Sequence, residues 1–155
     1  MPDAIYISDH LVGASQPVFI IAEAGVNHNG DLKRALALVD AAADAGADAV
    51  KFQTFSADRL ATPLSPKAKY QCETTDASES QYEMLKKLEL SPDAHRELKD
   101  RAEKHGMVFL STPFDQESAD LLEKLGVAAF KVGSGELTDI PLLKHIAGKK
   151  RPVIL

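Results

Sequence analysis

The chain has 155 residues, 45% of them hydrophobic and 26% charged, with a formal net charge of −5. That length can bury an ordinary domain core, while the acidic balance and scattered Lys and Arg argue against a nucleic-acid partner. No apolar run approaches the ~20 residues that span a bilayer and no signal-like N-terminus is present; the single cysteine, Cys72, allows no internal disulfide and fits a cytoplasmic protein.

In chain order, residues 4–15 are weakly strand-like, and residues 1–16 read as a hairpin or cap closing the base of the fold. Residues 17–22 (PVFIIA) read as a buried strand. Residues 31–45 form a predicted helix with Leu32, Leu36, Val39 and Ala43 on one face and Gly46 to stop it. Residues 47–53 (ADAVKFQ) are the next strand. A long polar stretch, 54–78, reads as a functional loop, because connectors of that length are uncommon. Residues 80–90 look helical, and Ser91-Pro92 starts another helix ending at His105-Gly106. Then come a strand at 107–110, a helix from Asp115 to Leu125 closed by Gly126, a strand at 127–132, a helix from Asp139 to about Gly148, and a strand opening at 151.

GADAVK (46–51) and GVAAFK (126–131) share a plan: a helix-stopping glycine, a small apolar strand, then a lysine. GMVFLST (106–112) is a third version ending in hydroxyls. Repeated βα units of this kind build a parallel sheet, open or closed. No glycine-rich dinucleotide fingerprint follows the first strand, which favours a TIM (β/α)8 barrel over an open doubly wound sheet. This chain represents its N-terminal portion, about five βα strands.

Strand alternation sends Lys51 and Gln53 into the barrel mouth and Val50 and Phe52 toward the helices. Glu23, Lys51, Gln53, Thr112, Lys131, Ser134 and Glu136 then fall at strand carboxyl ends, where a barrel carries its chemistry. Lysines there can hold phosphate and carboxylate, and a glutamate can move protons. The plainer reading makes the lysines solvated and the glutamates their structural partners. His28 reads as a turn residue, His95, His105 and His145 as surface residues, and Cys72 has no evident base and no catalytic role.

Four segments in order, IAEAGVNHNGDL (21–32), GADAVKFQTF (46–55), FLSTPFD (109–115) and FKVGSGELTDIPLL (130–143), resemble the sialic acid synthase family. The EAGVNHNG form and PKAKYQ (66–71) are most similar to the N-acetylneuraminic and legionaminic acid synthases. The resemblance implies an enzyme condensing phosphoenolpyruvate with an N-acetylmannosamine-type sugar to give a nonulosonic acid and phosphate. By motif, Lys51, Thr112, Lys131 and Ser134 would hold phosphoenolpyruvate, Gln53 would bind at the sugar side with Glu23, and Glu23 and Glu136 would be the catalytic carboxylates, Glu136 transferring a proton. The resemblance also implies a divalent metal, usually manganese, with its histidine ligands beyond Leu155, so residues 17–155 carry none of its ligands. It further implies a C-terminal antifreeze-like domain and a swapped homodimer. A full barrel takes roughly 250 residues, so the chain alone is expected to be inactive. Two other readings are a phosphoenolpyruvate-dependent aldol synthase acting on a phosphorylated aldose, and a non-catalytic half-barrel.

Overall fold

The computed structural model describes residues 4–63, 65, 67 and 79–155. Cys72 and most of the 66–71 segment singled out above lie outside them. An antiparallel hairpin, β1 (Ala4–Ile7) and β2 (His10–Gly13), comes first. After it, strands and helices alternate: β3 (Ile21–Gly25), α1 (Leu32–Asp44), β4 (Ala49–Thr54), the short α2 (Ala57–Leu60), α3 (Gln81–Leu88), α4 (Pro92–Lys104), β5 (Val108–Pro113), α5 (Gln116–Leu125), β6 (Phe130–Lys131), a 3-10 turn (Gly135–Thr138), α6 (Ile140–Gly148) and β7 (Val153–Ile154).

Strands β3, β4 and β5 form one parallel ladder in that order, and β6 and β7 form a second. Strands β5 and β6 are neighbours without a ladder between them. This is the N-terminal portion of a TIM (β/α)8 barrel, with five parallel strands among the described residues.

The helices start where side chains can satisfy free backbone N–H groups. Asp31, Ser80, Ser91, Asp115 and Asp139 each accept from the first turn of the helix that follows. Gly126 closes α5 in the left-handed region at φ +77°, which only glycine enters freely.

Alternation divides the apolar residues into two layers. Val50, Phe52 and Phe109 face outward and pack with Val39, Leu98 and Leu122 of the helices. Ala49, Val108, Leu110 and Ala129 face inward, where Ile7 of the hairpin joins them. Burying each large side chain contributes about 1.5–3 kcal/mol, so the outer layer is what holds the helices to the strands.

Two expectations need correction. The first parallel strand, β3, begins at Ile21, not at residue 17, and Val18 and Ile20 are 81% and 54% exposed. Among the described residues β3 pairs only with β4, so the upstream apolar residues have no second strand to bury them. The expected strand at 127–132 shrinks to Phe130–Lys131, because only those two residues meet β7 in register. The polar stretch after β4 also contains one helical turn, α2.

Candidate active site

The carboxyl ends of β3, β4 and β5 bring several expected site residues side by side. Glu23 lies opposite Lys51 in register, and Gln53 lies opposite Thr112. The register of β3 slips between Glu23 and Gly25, a bulge of the kind that re-aims side chains beside sites. A side-chain carbon at Gly25 would stand 3.3 Å from Glu23 Oε1 and 3.9 Å from Gln53 Nε2, so both side chains converge over that glycine.

Lys51 Nζ forms an ion pair with Glu23 Oε2. The lysine side chain is only 11% exposed, whereas that of Glu23 is 53% exposed. A shielded ammonium needs a partner, and here the partner reaches solvent. An incoming anion can therefore compete for the lysine while the carboxylate keeps water.

A second group forms after β6. Gly133 separates Thr112 from Glu136: a side-chain carbon there would stand 3.6 Å from Thr112 Cγ2 and would fall on Glu136 Oε2. That oxygen is buried and has no hydrogen-bond partner among the described residues. Such an atom has lost water without gaining a donor, so it is poised to take one from a ligand. Lys131 Nζ donates to the carbonyl of Val132 and makes no ion pair among the described residues. Ser134 is exposed at the start of the 3-10 turn, and its side chain caps nothing. Glu23, Lys51, Gln53 and Thr112 thus form one contiguous patch, and Thr112 carries it to Glu136. Among the described residues, Lys131 and Ser134 make no hydrogen bond or ion pair to that patch, although β6 lies beside β5.

Histidines depart from expectation. His95, expected at the surface, is 1% exposed. It belongs to the buried stripe of α4 with Ala94, Leu98 and Ala102, a helical spacing visible in the sequence but masked by the residue's polarity. Its ring bonds Thr54 and the Ser91 carbonyl, and burial lowers its pKa below the ordinary 6.5. His28 is indeed a turn residue, its Nδ1 accepting from Gly30 N at 2.9 Å. It is also fully buried against Phe52, and burial first, then His95, lowers its pKa. His105 is exposed as expected and pairs with Asp40, while His145 is half-buried against Asp120.

Comparison with known proteins gives the same direction. The model of the NeuB family matches residues 38–155. Over 143 residues the chain is 54% identical to an N,N'-diacetyllegionaminic acid synthase of Legionella pneumophila, a match covering 92% of this chain and 40% of that protein. It is 54% identical over 136 residues to a synthase of the same name from Campylobacter jejuni, covering 88% of this chain and 41% of that one. A crystal structure of N-acetylneuraminic acid (sialic acid) synthetase from Leptospira borgpetersenii, in complex with citrate, superposes with a TM-score of 0.81. Its identity is 33%, over 97% of this chain and 48% of that one. The chain spans about 40% of the length of the curated relatives named here.

Proposed function

The chain belongs to the NeuB family, and from that premise we propose that the whole protein condenses phosphoenolpyruvate with an N-acetylmannosamine-type sugar to give a nonulosonic acid and phosphate. The observation that carries the reading is the contiguous patch at the strand carboxyl ends: a shielded, carboxylate-paired Lys51 at one side and an unpartnered Glu136 oxygen at the other. The names of the relatives support the reaction class, and their two legionaminic acid synthases favour that branch of acceptor.

In this reading Lys51 and Lys131 neutralise the phosphate and carboxylate of phosphoenolpyruvate, with Thr112 and Ser134 as hydroxyl donors. Gln53 and Glu23 face the sugar. Carbon C3 of phosphoenolpyruvate bonds to the aldehyde carbon, whose oxygen takes up a proton. Water adds at C2 of the former phosphoenolpyruvate, and the C2–O bond to phosphorus-bearing oxygen then breaks, leaving a ketone and free phosphate. Glu136 handles the proton at the tetrahedral centre.

A divalent metal, manganese in the resemblance, would polarise the sugar carbonyl. Among the described residues no three His, Cys, Asp or Glu side chains stand together to hold one. A homodimer and a cytoplasmic location belong to the same proposal. Among the described residues no helix is long and apolar enough to cross a membrane.

The test is phosphate release from phosphoenolpyruvate by the complete protein, given manganese and a panel of acceptor sugars. Release that requires an N-acetylated amino sugar is the expected result. Release driven instead by a phosphorylated aldose would replace this reading with the aldol synthase.

A further inference from the structure

Three buried polar side chains stand on the helix side of β4 and β5, in the layer that also holds Phe52 and Phe109. Thr54 Oγ1 lies 2.9 Å from His95 Nε2 and 2.7 Å from Ser111 Oγ. His95 Nδ1 lies 3.0 Å from the Ser91 carbonyl oxygen. A carbonyl only accepts, so the tautomer that donates from Nδ1 to Ser91 leaves the lone pair on Nε2, and the backbone carbonyl of Gln53 also bonds the ring. In that tautomer Thr54 donates to His95, and its own oxygen accepts from the Ser111 hydroxyl. The chain of bonds runs Ser111 to Thr54 to His95 to Ser91, and every member is satisfied.

This wire ties β4, β5 and α4 together directly beneath the site. Gln53 and Thr112 are register partners. Each is the chain neighbour of a wire residue, and each points to the opposite face of the sheet. Apolar side chains would fill the same layer with no risk of an orphaned donor. Hydrogen bonds, however, are directional, and they fix the relative height of two strands in a way that apolar contact does not. None of the three side chains faces the barrel mouth, so none can touch a substrate there.

We propose that Thr54 is a positioning residue: with His95 and Ser111 it holds Gln53 and Thr112 in the geometry that binds the substrates. The role rests on the function proposed above. Thr54→Val keeps the shape and removes the hydroxyl, leaving Ser111 and His95 without their partner, while Thr54→Ser keeps the hydroxyl.

The experiment compares the complete wild-type protein with both variants, at a temperature where circular dichroism shows all three fully folded. Thr54→Val is expected to lower kcat/KM for phosphoenolpyruvate on the order of ten- to a hundred-fold, with Thr54→Ser within about threefold of wild type. A role in stability alone would lower the Tm of Thr54→Val and leave the kinetics of the folded enzyme unchanged, which overturns the proposal. Should Thr54→Val not fold, Ser111→Ala, which removes only the terminal donor, makes the same comparison. Should the wild-type protein turn over no acceptor, the function has failed, and amide hydrogen exchange decides the positioning role. Faster exchange at Gln53 and Thr112 in Thr54→Val than in Thr54→Ser supports it; equal exchange overturns it.

Discussion

Gly133 leaves the space that the Glu136 carboxylate occupies, and the absence of one methyl group there decides where that carboxylate sits. In Gly133→Ala the obstacle is the free end of a flexible side chain, so stability should change by less than about 1 kcal/mol. The displaced carboxylate should lower kcat roughly ten- to a hundred-fold, by the cost of misplacing a reacting group. Phosphate release and a thermal melt on the same preparation separate the two effects. For Lys131, a bound anion has to draw the ammonium away from the Val132 carbonyl, a loss of about 1 kcal/mol that ionic contact outweighs. Lys131→Ala should therefore raise KM for phosphoenolpyruvate by about tenfold or more at an unchanged Tm; an unchanged KM would remove Lys131 from the anion site. At this scale period-two alternation made Glu23, Lys51, Gln53 and Thr112 legible, since facing depends only on strand direction. Glu136 was legible as a candidate, but the open space over Gly133 that defines its setting was not. The polarity of His95 hides its place in the apolar stripe of α4.

Among the elements, the turn from β3 into α1 is held against backbone. Gly30 has φ +76°, and a side-chain carbon on it would collide with the backbone carbonyl of Lys87 in α3. Unlike the case of Gly133, the obstacle is backbone and cannot swing aside. Gly30→Ala should destabilise the protein by about 2–5 kcal/mol, combining left-handed strain of about 1–2 with overpacking of about 1–3. Urea unfolding measures it, and a loss below about 0.5 kcal/mol would mean that α3 moves freely. Helix starts were the most legible elements, because Asp31, Ser91, Asp115 and Asp139 act through hydrogen bonds within one turn of sequence. Strand ends were the least legible. A residue is in a strand only if a partner lies beside it, and residues 17–20 and 127–129 have strand-like composition without such a partner in a ladder.

The molecule as a whole keeps two imidazoles, His28 and His95, buried behind the site strands with lowered pKa values. An unfolded chain titrates them near 6.5. Below that pH the unfolded state binds more protons than the folded one, so stability is greatest above it and falls as pH drops toward the folded values. Carboxylates such as Asp40, held at about 2 by hydrogen bonds from Arg101 and His105, act only at much lower pH. The urea midpoint should therefore drop between about pH 7.5 and 5.5; a midpoint that stays level would mean that neither ring is held neutral by the fold. The inner layer has a further consequence, set by the order in which the chain is made. Ile7, in the first hairpin, is 2% exposed because it shares a cluster with Ala49, Leu110 and Ala129. The hairpin can pair with itself as soon as it leaves the ribosome, yet its buried side chain has no seat until β5 and the residues before β6 have followed. The hairpin is made before the strands that seal it, and its buried face waits on them.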